Sequence, residues 1–350
     1  MFRALTLSAI AAVSMTLLGC GQGDNANDGA ESAEDVTLNV YSARKEDLIR
    51  PILDRFTADT GIEVKLLTAK AGALLARLEN EGENTPADLL VTVDAGNLHR
   101  AKAAGVLAPL ESEVLDANIP EHLRDPEGHW YGLSKRARVI FTHKERMAEG
   151  EITTYEQLAD AEFDDRICIR SSDNIYNQSL VASMIIAHDE PATEDWAEGL
   201  VDNMARKPQG GDRDQLRAVA AGECDIAVAN TYYYGRMQNG SEADRKVADS
   251  VRLVWPNQDG RGAHINVSGA GLVAASDKQD AVRKLLEYLT TDESQDWYAQ
   301  VNNEHPVKPG VEPSPTLAAW GEFKADDVNL GRLGELNDEA VRLMDRAGWK

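Results

Sequence analysis

The chain after residue 35 alternates short apolar runs with amphipathic stretches. Residues 36–41 alternate polar and apolar side chains as a strand does, and residues 47–60 carry apolar side chains at helical spacing. Residues 62–79 repeat this strand and helix, and the nearly continuous apolar run at 89–94 is typical of a buried parallel strand. This order predicts helices packed against a parallel sheet.

Strand and helix signals return in the second half of the chain. Short strands are predicted at 166–170 and 225–229, and a helix over 214–221 precedes the second of them. An apolar strand at 271–275 and a helix over 280–290 follow. The strands at 166–170 and 225–229 and the helix between them predict a second lobe. The strand and helix after residue 270 are expected to belong to the first lobe again.

The connections between the lobes are predicted at two places. Residues 131–141 alternate less cleanly and carry three cations, which indicates a first crossing, and a return crossing is expected near 260–264. The fold class is therefore α/β, with two Rossmann-like lobes joined by a hinge. Two lobes suit a chain of 350 residues, since domains contain about 100–200 residues each. The expected boundaries are 36–135 with 263–313 for the N-terminal lobe and 136–262 with 314–350 for the C-terminal lobe.

The N-terminus reads as an export signal. Arg3 precedes an apolar run over residues 4–18, and Leu-Leu-Gly then leads directly into Cys20. This arrangement predicts a lipoprotein signal peptide over 1–19, lipidation of Cys20 and a polar, acidic tether over 20–35. An ordinary cleaved signal with an incidental cysteine is the alternative, and export follows from either.

The composition is strongly acidic. Asp and Glu number 59 against 36 Lys and Arg, which gives a formal charge of −23. Such a field repels nucleic acids and anionic membrane surfaces, so contact with a membrane is expected only through the lipid anchor. The acidic excess either aids cation accumulation or reflects a saline habitat, and composition alone does not separate these explanations.

Cys168 and Cys224 remain once Cys20 is assigned to the lipid. In an oxidising compartment an isolated pair of cysteines most often forms a disulfide. Neither a CxxC spacing nor neighbouring histidines favour a zinc site. We therefore expect these two cysteines to be joined.

Tyrosine is the most informative residue type. Tyr232 and Tyr233 stand directly after a predicted strand, and Tyr176 lies in a polar segment that also follows one. Neighbours on a regular strand point to opposite faces, so Tyr232 and Tyr233 converge only if a turn or helix begins there. Amphipathic packing is the commonest role of tyrosine and remains an alternative. As ligands, phenolates are hard anionic donors that suit ferric iron.

Three arginines border the predicted mouth of the first lobe: Arg44, Arg136 and Arg138. Arginine at such a place can hold an anion bidentately. Ion pairs at the surface of a very acidic chain are the alternative explanation.

Hydrolytic motifs are absent from the sequence. It contains no Gly-x-Ser-x-Gly, no His-Glu-x-x-His and no phosphate-binding glycine loop, and its seven histidines lack ligand spacing. The sequence therefore predicts a binding protein and not an enzyme.

Seven segments match a known family in the same order along the chain. They are VYSARKEDLIRPIL from Val40, TPADLLVTVD from Thr85, WYGLSKRARVI from Trp130, RSSDNIYNQSL from Arg170, ARKPQGGDRDQ from Ala205, ANTYYYGRM from Ala229 and GAHINVSGAG from Gly262. With them the chain resembles the periplasmic ferric-iron-binding proteins of bacterial ABC importers, which have the type II periplasmic-binding-protein fold. The likeness covers nearly the whole mature chain.

The resemblance implies a role and a set of iron ligands. The role is capture of ferric iron in the periplasm by a monomer, which delivers it to the permease and ATPase complex of an ABC importer. The family's tyrosine ligands match Tyr176, Tyr232 and Tyr233. Some relatives add histidine or tyrosine from the loop after the first strand, where this chain has Lys45 and Glu46. The resemblance therefore implies no histidine or tyrosine ligand from that loop, and Glu46 is a weaker candidate than an anion for the next position on the iron.

The resemblance also implies an anion and supports the disulfide. Three phenolates leave positions open on octahedral iron, which implies a carbonate-like synergistic anion held by Arg44 and Arg136 or Arg138. The subgroup with this arrangement has cysteines that match Cys168 and Cys224.

Two other functions remain as rivals. The first is a binding protein of the same fold for another small solute, such as an oxyanion or a polyamine. The second is an anchored enzyme or a receptor-docking module. Clustered phenols disfavour the first rival, and the lack of hydrolytic motifs together with the family likeness disfavours the second.

Overall fold

The structure, a computed structural model, describes residues 36–350. The expected signal peptide, the lipidation of Cys20 and the tether lie outside these residues. Within the described range, no helix is both long and apolar enough to cross a membrane.

The described chain is mixed α/β, as the sequence predicts. Its strands are β1 (Thr37–Ser42), β2 (Glu63–Thr68), β3 (Leu89–Val93), β4 (Leu107–Ala108), β5 (Tyr131–His143), β6 (Ile167–Cys168), β7 (Ile226–Asn230), β8 (Val251–Val254) and β9 (Ile265–Val273). Its α-helices are α1 (Arg50–Thr60), α2 (Ala71–Glu81), α3 (Ala95–Ala103), α4 (Glu113–Asn118), α5 (Ile175–His188), α6 (Glu190–Asp202), α7 (Asp212–Ala221), α8 (Thr231–Gln238), α9 (Glu242–Ser250), α10 (Gln279–Leu289), α11 (Asp292–Trp297), α12 (Pro315–Ala318), α13 (Gly331–Glu335) and α14 (Asn337–Arg346).

The strands are hydrogen-bonded in the order β2-β1-β3-β9-β5-β7-β6, with β4 added beside β9 and β8 beside β5. The pairs β1 with β2, β1 with β3, and β6 with β7 are parallel, whereas β9 and β5 run antiparallel to their neighbours. Parallel neighbours require crossover connections, and helices such as α1 and α2 provide them. The prediction of an α/β fold is confirmed.

Strand β5 links two groups of strands. Its first part, from Tyr131 to Ala137, pairs with β9, and its second part, from Arg138 to His143, pairs with β7 and β8. This long strand lies where the sequence predicts the first crossing between lobes. Two of its cations, Arg136 and Arg138, are buried. Because buried charges need partners, these arginines must be paired within the fold.

Strand β9 begins at Ile265, earlier than the predicted strand at 271–275. Its sequence INVSGAGLV contains serine and glycine, which weaken a strand signal. Gly271 is required by close packing, since a Cβ on it would lie 2.3 Å from the carbonyl oxygen of His129. Close approach of the neighbouring backbone thus explains why glycine stands in this strand.

The expected disulfide is present between Cys168 and Cys224, whose Cα atoms are 5.9 Å apart. Cys168 ends β6, and Cys224 lies two residues before the start of β7. These strands share only a short parallel register, Ile167 with Ile226 and Cys168 with Ala227. The disulfide therefore reinforces a weak pairing next to the strand that leads into α8.

Replacing Cys168 and Cys224 together by serine is expected to lower the free energy of unfolding by about 2–4 kcal/mol. The reason is that the disulfide closes a loop with a sequence separation of 56, which restricts the unfolded chain. Urea unfolding of the two proteins measures the difference, and wild type kept in reductant serves as the control that should match the variant. A loss below about 1 kcal/mol would contradict the expectation.

Candidate metal-binding site

Tyr232 and Tyr233 lie in the first turn of α8, which begins directly where β7 ends. The strand ends at Asn230 and the helix begins at Thr231. Neighbouring side chains on a helix are about 100° apart rather than opposite, so both tyrosines can reach one side. Their ring centroids are 4.2 Å apart. The sequence predicts that these two phenols converge only if a turn or helix begins at this point, and a helix does begin there.

Tyr176 reaches the same place from a different helix. It lies in the first turn of α5, where the side chain of Asn174 accepts a hydrogen bond from its backbone N–H at 3.1 Å. The hydroxyl of Tyr232 donates to the hydroxyl of Tyr176 at 3.2 Å. Two phenol oxygens that are far apart in sequence therefore meet, which packing of isolated tyrosines does not require.

The three tyrosines line one cavity of about 200 Å³. The other residues around it come from the loop after β1, the end of β3, the start of α7, α8 and a segment after α11. They are Ala43, Arg44, Lys45, Leu48, Val93, Arg213, Arg236 and Glu304. The structure therefore brings the predicted tyrosines together with Arg44, and adds cations and a carboxylate.

The phenols of Tyr176 and Tyr232 are held in the neutral form. Burial raises the pKa of both above the ordinary value of 10, and the prospect of a neighbouring phenolate at Tyr233 raises each further. The charge of Arg136 opposes this rise without cancelling it. A cation that binds phenolate oxygens here must therefore displace protons.

Positive charge nevertheless surrounds the phenols. The guanidinium carbons of Arg136, Arg138 and Arg170 lie 5.6, 6.0 and 5.6 Å from the ring centroid of Tyr176. The guanidinium of Arg236 lies 5.2 Å from the ring centroid of Tyr232. The N-termini of α5 and α8 add the positive ends of two helix dipoles. These groups favour an anionic oxygen once its proton has left.

Arg138 is fully engaged by protein groups. Its Nη1 donates to Asp212 at 3.3 Å and to the side-chain oxygen of Asn230 at 3.0 Å, and its Nε and Nη2 donate to the side-chain oxygen of Asn177 at 3.1 and 2.6 Å. Asp212 also accepts from Arg170 at 3.2 Å. This predicted anion holder thus joins β5 to the elements that carry the tyrosines.

Arg44 and Arg136 retain unused donors. Arg44 Nη2 donates to Glu304 at 2.9 Å, and Arg136 Nη2 donates to Asp94 at 3.4 Å. Over residues 36–350, Arg44 Nε, Arg44 Nη1 and Arg136 Nη1 are buried without a hydrogen-bond partner. Buried N–H groups without partners are costly, so these atoms are suited to donate hydrogen bonds to an additional anion.

The two acidic candidates differ in placement. Glu46 is exposed and accepts from Arg50 at 3.0 and 2.9 Å, and it does not line the cavity. Glu304 is buried in the cavity wall, where burial opposes its ionisation but the charge of Arg44 and a hydrogen bond from Ser134 lower its pKa. Sequence reasoning missed Glu304, since a single acid in a polar run of an acidic chain carries no local signal. Its partner Arg44 is 260 residues away.

A second group of potential metal ligands consists of Asp125, Glu127 and His129. Lys102 Nζ already lies between the two carboxylates, 2.8 Å from Asp125 and 3.2 Å from Glu127. The ammonium supplies the positive charge that a metal would supply there. The tyrosine cavity is therefore the better candidate for a metal.

Known proteins resemble this chain over nearly its whole length. The sequence profile of the bacterial extracellular solute-binding proteins matches residues 84–322. Iron uptake protein A1 of Synechocystis is 44% identical over 338 residues, which cover 96% of this chain and 94% of that protein. The major ferric iron-binding protein of Neisseria meningitidis is 27% identical over 320 residues, 89% of this chain and 93% of that protein.

A solved structure extends the likeness to three dimensions. The FutA (IdiA) protein of Trichodesmium, in complex with iron and citrate, is 46% identical and superimposes with a TM-score of 0.87, covering 90% of this chain and all of that one. The expectation of a type II periplasmic-binding-protein fold is confirmed.

Substituting Arg138 by methionine is expected to lower the free energy of unfolding by about 3–5 kcal/mol, because it leaves the buried carboxylate of Asp212 short of one partner. Arg50→Met is the matched control. It breaks an exposed pair with Glu46 and should cost no more than about 0.5 kcal/mol. Denaturant titration of both variants measures the two losses, and equal losses would show that the buried pair is not a structural link.

Proposed function

The chain belongs to the family of bacterial extracellular solute-binding proteins, and from that membership we propose that it captures ferric iron and delivers it to an ABC importer. The observation that carries this proposal is the convergence of Tyr176, Tyr232 and Tyr233 on one cavity. The names of its relatives, which include iron uptake and ferric iron-binding proteins, point the same way.

The three phenolates are the proposed ligands of ferric iron. Phenolate is a hard anionic oxygen donor, which matches a small trivalent cation better than it matches soft metals. The helix N-termini and the arginines near the rings stabilise the phenolates after deprotonation. Capture is binding without turnover, so the protein is not an enzyme.

A small anion such as carbonate is proposed to complete the coordination of iron. Arg44 and Arg136 are its proposed holders, because both have buried N–H donors that no described residue accepts. Arg138 supports the site through Asp212 and is assigned no direct contact. The cations at the cavity wall, Arg213 and Arg236, add to the attraction for an anion.

Delivery is proposed to occur by opening of two lobes, 36–135 with 263–313 and 136–262 with 314–350. Loss of the anion or reduction of the iron would weaken binding at that moment, because ferric iron is held by anionic oxygens. We further propose that the protein acts as a monomer in the periplasm. There it would be tied to a membrane through the lipid on Cys20 and dock on a permease and ATPase complex.

Titration of the protein without residues 1–35 with ferric citrate in bicarbonate buffer is expected to produce a broad visible band from phenolate-to-iron charge transfer. Tyr232→Phe should weaken or remove the band, because it removes one of the ligands. Tyr234→Phe is the matched control on the same helix, since Tyr234 packs against Phe141 and Trp320 with centroid distances of 5.1 and 5.8 Å. Visible absorption spectra measure all three proteins.

Absence of a band from folded wild type would reject ferric iron as the cargo. The tyrosine cluster would then be a packing feature, and the protein would be a receptor for another small solute such as an oxyanion or a polyamine. Equal loss of the band in both variants would instead mean that the assignment of ligands within α8 is wrong.

Iron affinity is expected to rise with pH. The pKa values of Tyr176 and Tyr232 are raised, so both phenols are protonated in the iron-free protein at neutral pH and must lose their protons on binding. Each displaced proton strengthens apparent binding about tenfold per pH unit. Competition with citrate at pH 6, 7 and 8, corrected for citrate ionisation, measures the slope. A slope of zero would contradict ligation by phenolates, and Tyr232→Phe should reduce the slope by about one proton.

A further inference from the structure

Glu304 is a buried carboxylate in the wall of the tyrosine cavity. It follows α11 in the chain, whereas the tyrosines belong to α5 and α8. Its Oε2 accepts a hydrogen bond from Ser134 at 2.6 Å and from Arg44 Nη2 at 2.9 Å. Two donors therefore fix the side chain through one oxygen.

The other carboxylate oxygen, Oε1, is not used by protein. In the part of the chain that the structure describes, no donor forms a hydrogen bond with it. The Glu304 side chain is almost wholly buried, so this anionic oxygen has little access to water and no protein partner, which is unfavourable. A cation in the cavity would supply that partner.

Ferric iron needs more oxygen donors than the tyrosines offer. Three phenolates leave octahedral positions open, and the loop after β1 carries Lys45 and Glu46, both of which are exposed. Glu46 is held by Arg50 on the surface. Among the described residues, Glu304 is the one carboxylate that lines the cavity together with the three tyrosines, and its Oε1 has no protein donor.

We propose that Glu304, through Oε1, is a fourth protein ligand to ferric iron, an inference that rests on the proposed function. Carboxylate oxygen is a hard donor like phenolate, so it suits the same cation. Ser134 and Arg44 orient it as hydrogen-bonding partners orient a metal-binding carboxylate. Ferric iron bound to three phenolates and one carboxylate forms a group with one net negative charge. Positive charge around the site exceeds it, so one small anion can still bind; this positive charge comes from Arg44, Arg136, Arg213 and Arg236.

Glu304→Gln tests this ligand, and Glu46→Gln is the matched control. Loss of an anionic ligand makes ferric iron a stronger electron acceptor, so the phenolate-to-iron band of Glu304→Gln should move to longer wavelength. Its iron affinity, measured by competition with citrate at fixed bicarbonate, should fall by at least about tenfold. Glu46→Gln should keep both the band and the affinity of wild type.

An unshifted band in folded Glu304→Gln would overturn the proposal, and Glu304 would then be only a counter-ion for Arg44. Absence of the band from wild type would instead reject the proposed iron function, so the two failures are distinguishable. Should Glu304→Gln not fold, Glu304→Asp replaces it. This variant keeps the charge but withdraws the carboxylate from the cavity, so the proposal requires a shifted band and weaker binding there as well.

Discussion

The buried pairing of Arg138 with Asp212 fixes the elements that carry the tyrosines. Arg138 lies on β5, and Asp212 begins α7. The same carboxylate accepts from the backbone N–H of Asn230 at 2.8 Å and from Arg170 at 3.2 Å. One side chain therefore joins the end of β7 to the segment just before α5. Because the tyrosines occupy the first turns of the helices that follow, their separation depends on this carboxylate.

At the proposed iron site, burial of the phenols would influence which cation the cavity holds. The neutral phenols of Tyr176 and Tyr232 avoid the repulsion that adjacent phenolates would suffer in a site shielded from water. Their deprotonation becomes favourable only when a cation of high charge takes the place of the protons. A divalent cation gains less from three anionic oxygens than a trivalent one, since the electrostatic attraction scales with charge. At the proposed iron site, desolvation of Tyr176 and Tyr232 would therefore favour a trivalent cation over a divalent one.

Local sequence was sufficient to place candidate residues but not to assign their role. Tyr176 and Tyr232 could be placed at one edge of the sheet because each follows a short apolar strand, and the carboxyl ends of such strands are where binding residues gather. Their role as ligands came from the family resemblance and stays a prediction. Strand β6 is shorter than its apolar pattern suggests, because its pairing ends after Cys168. The engaged state of Arg138 could not be predicted, since its partners lie on three other segments that only the folded chain brings together.

Glu304 could not be predicted from local sequence either, and its segment connects the cavity to the rest of the fold. The preceding Asn303 faces α8 so closely that a Cβ on Gly235 would lie 2.8 Å from the Cβ of Asn303, and its side chain accepts from Asn239 at 3.3 Å. On the other side, Asn302 donates to the carbonyl of Leu48 at 3.1 Å, next to the loop after β1. A separation of α8 from that loop must break one of these contacts. In the proposed division of lobes, Glu304 belongs with residues 263–313 and α8 with residues 136–262, so opening would break the contact of Asn303 with α8 and withdraw the carboxylate from the phenolates in one step.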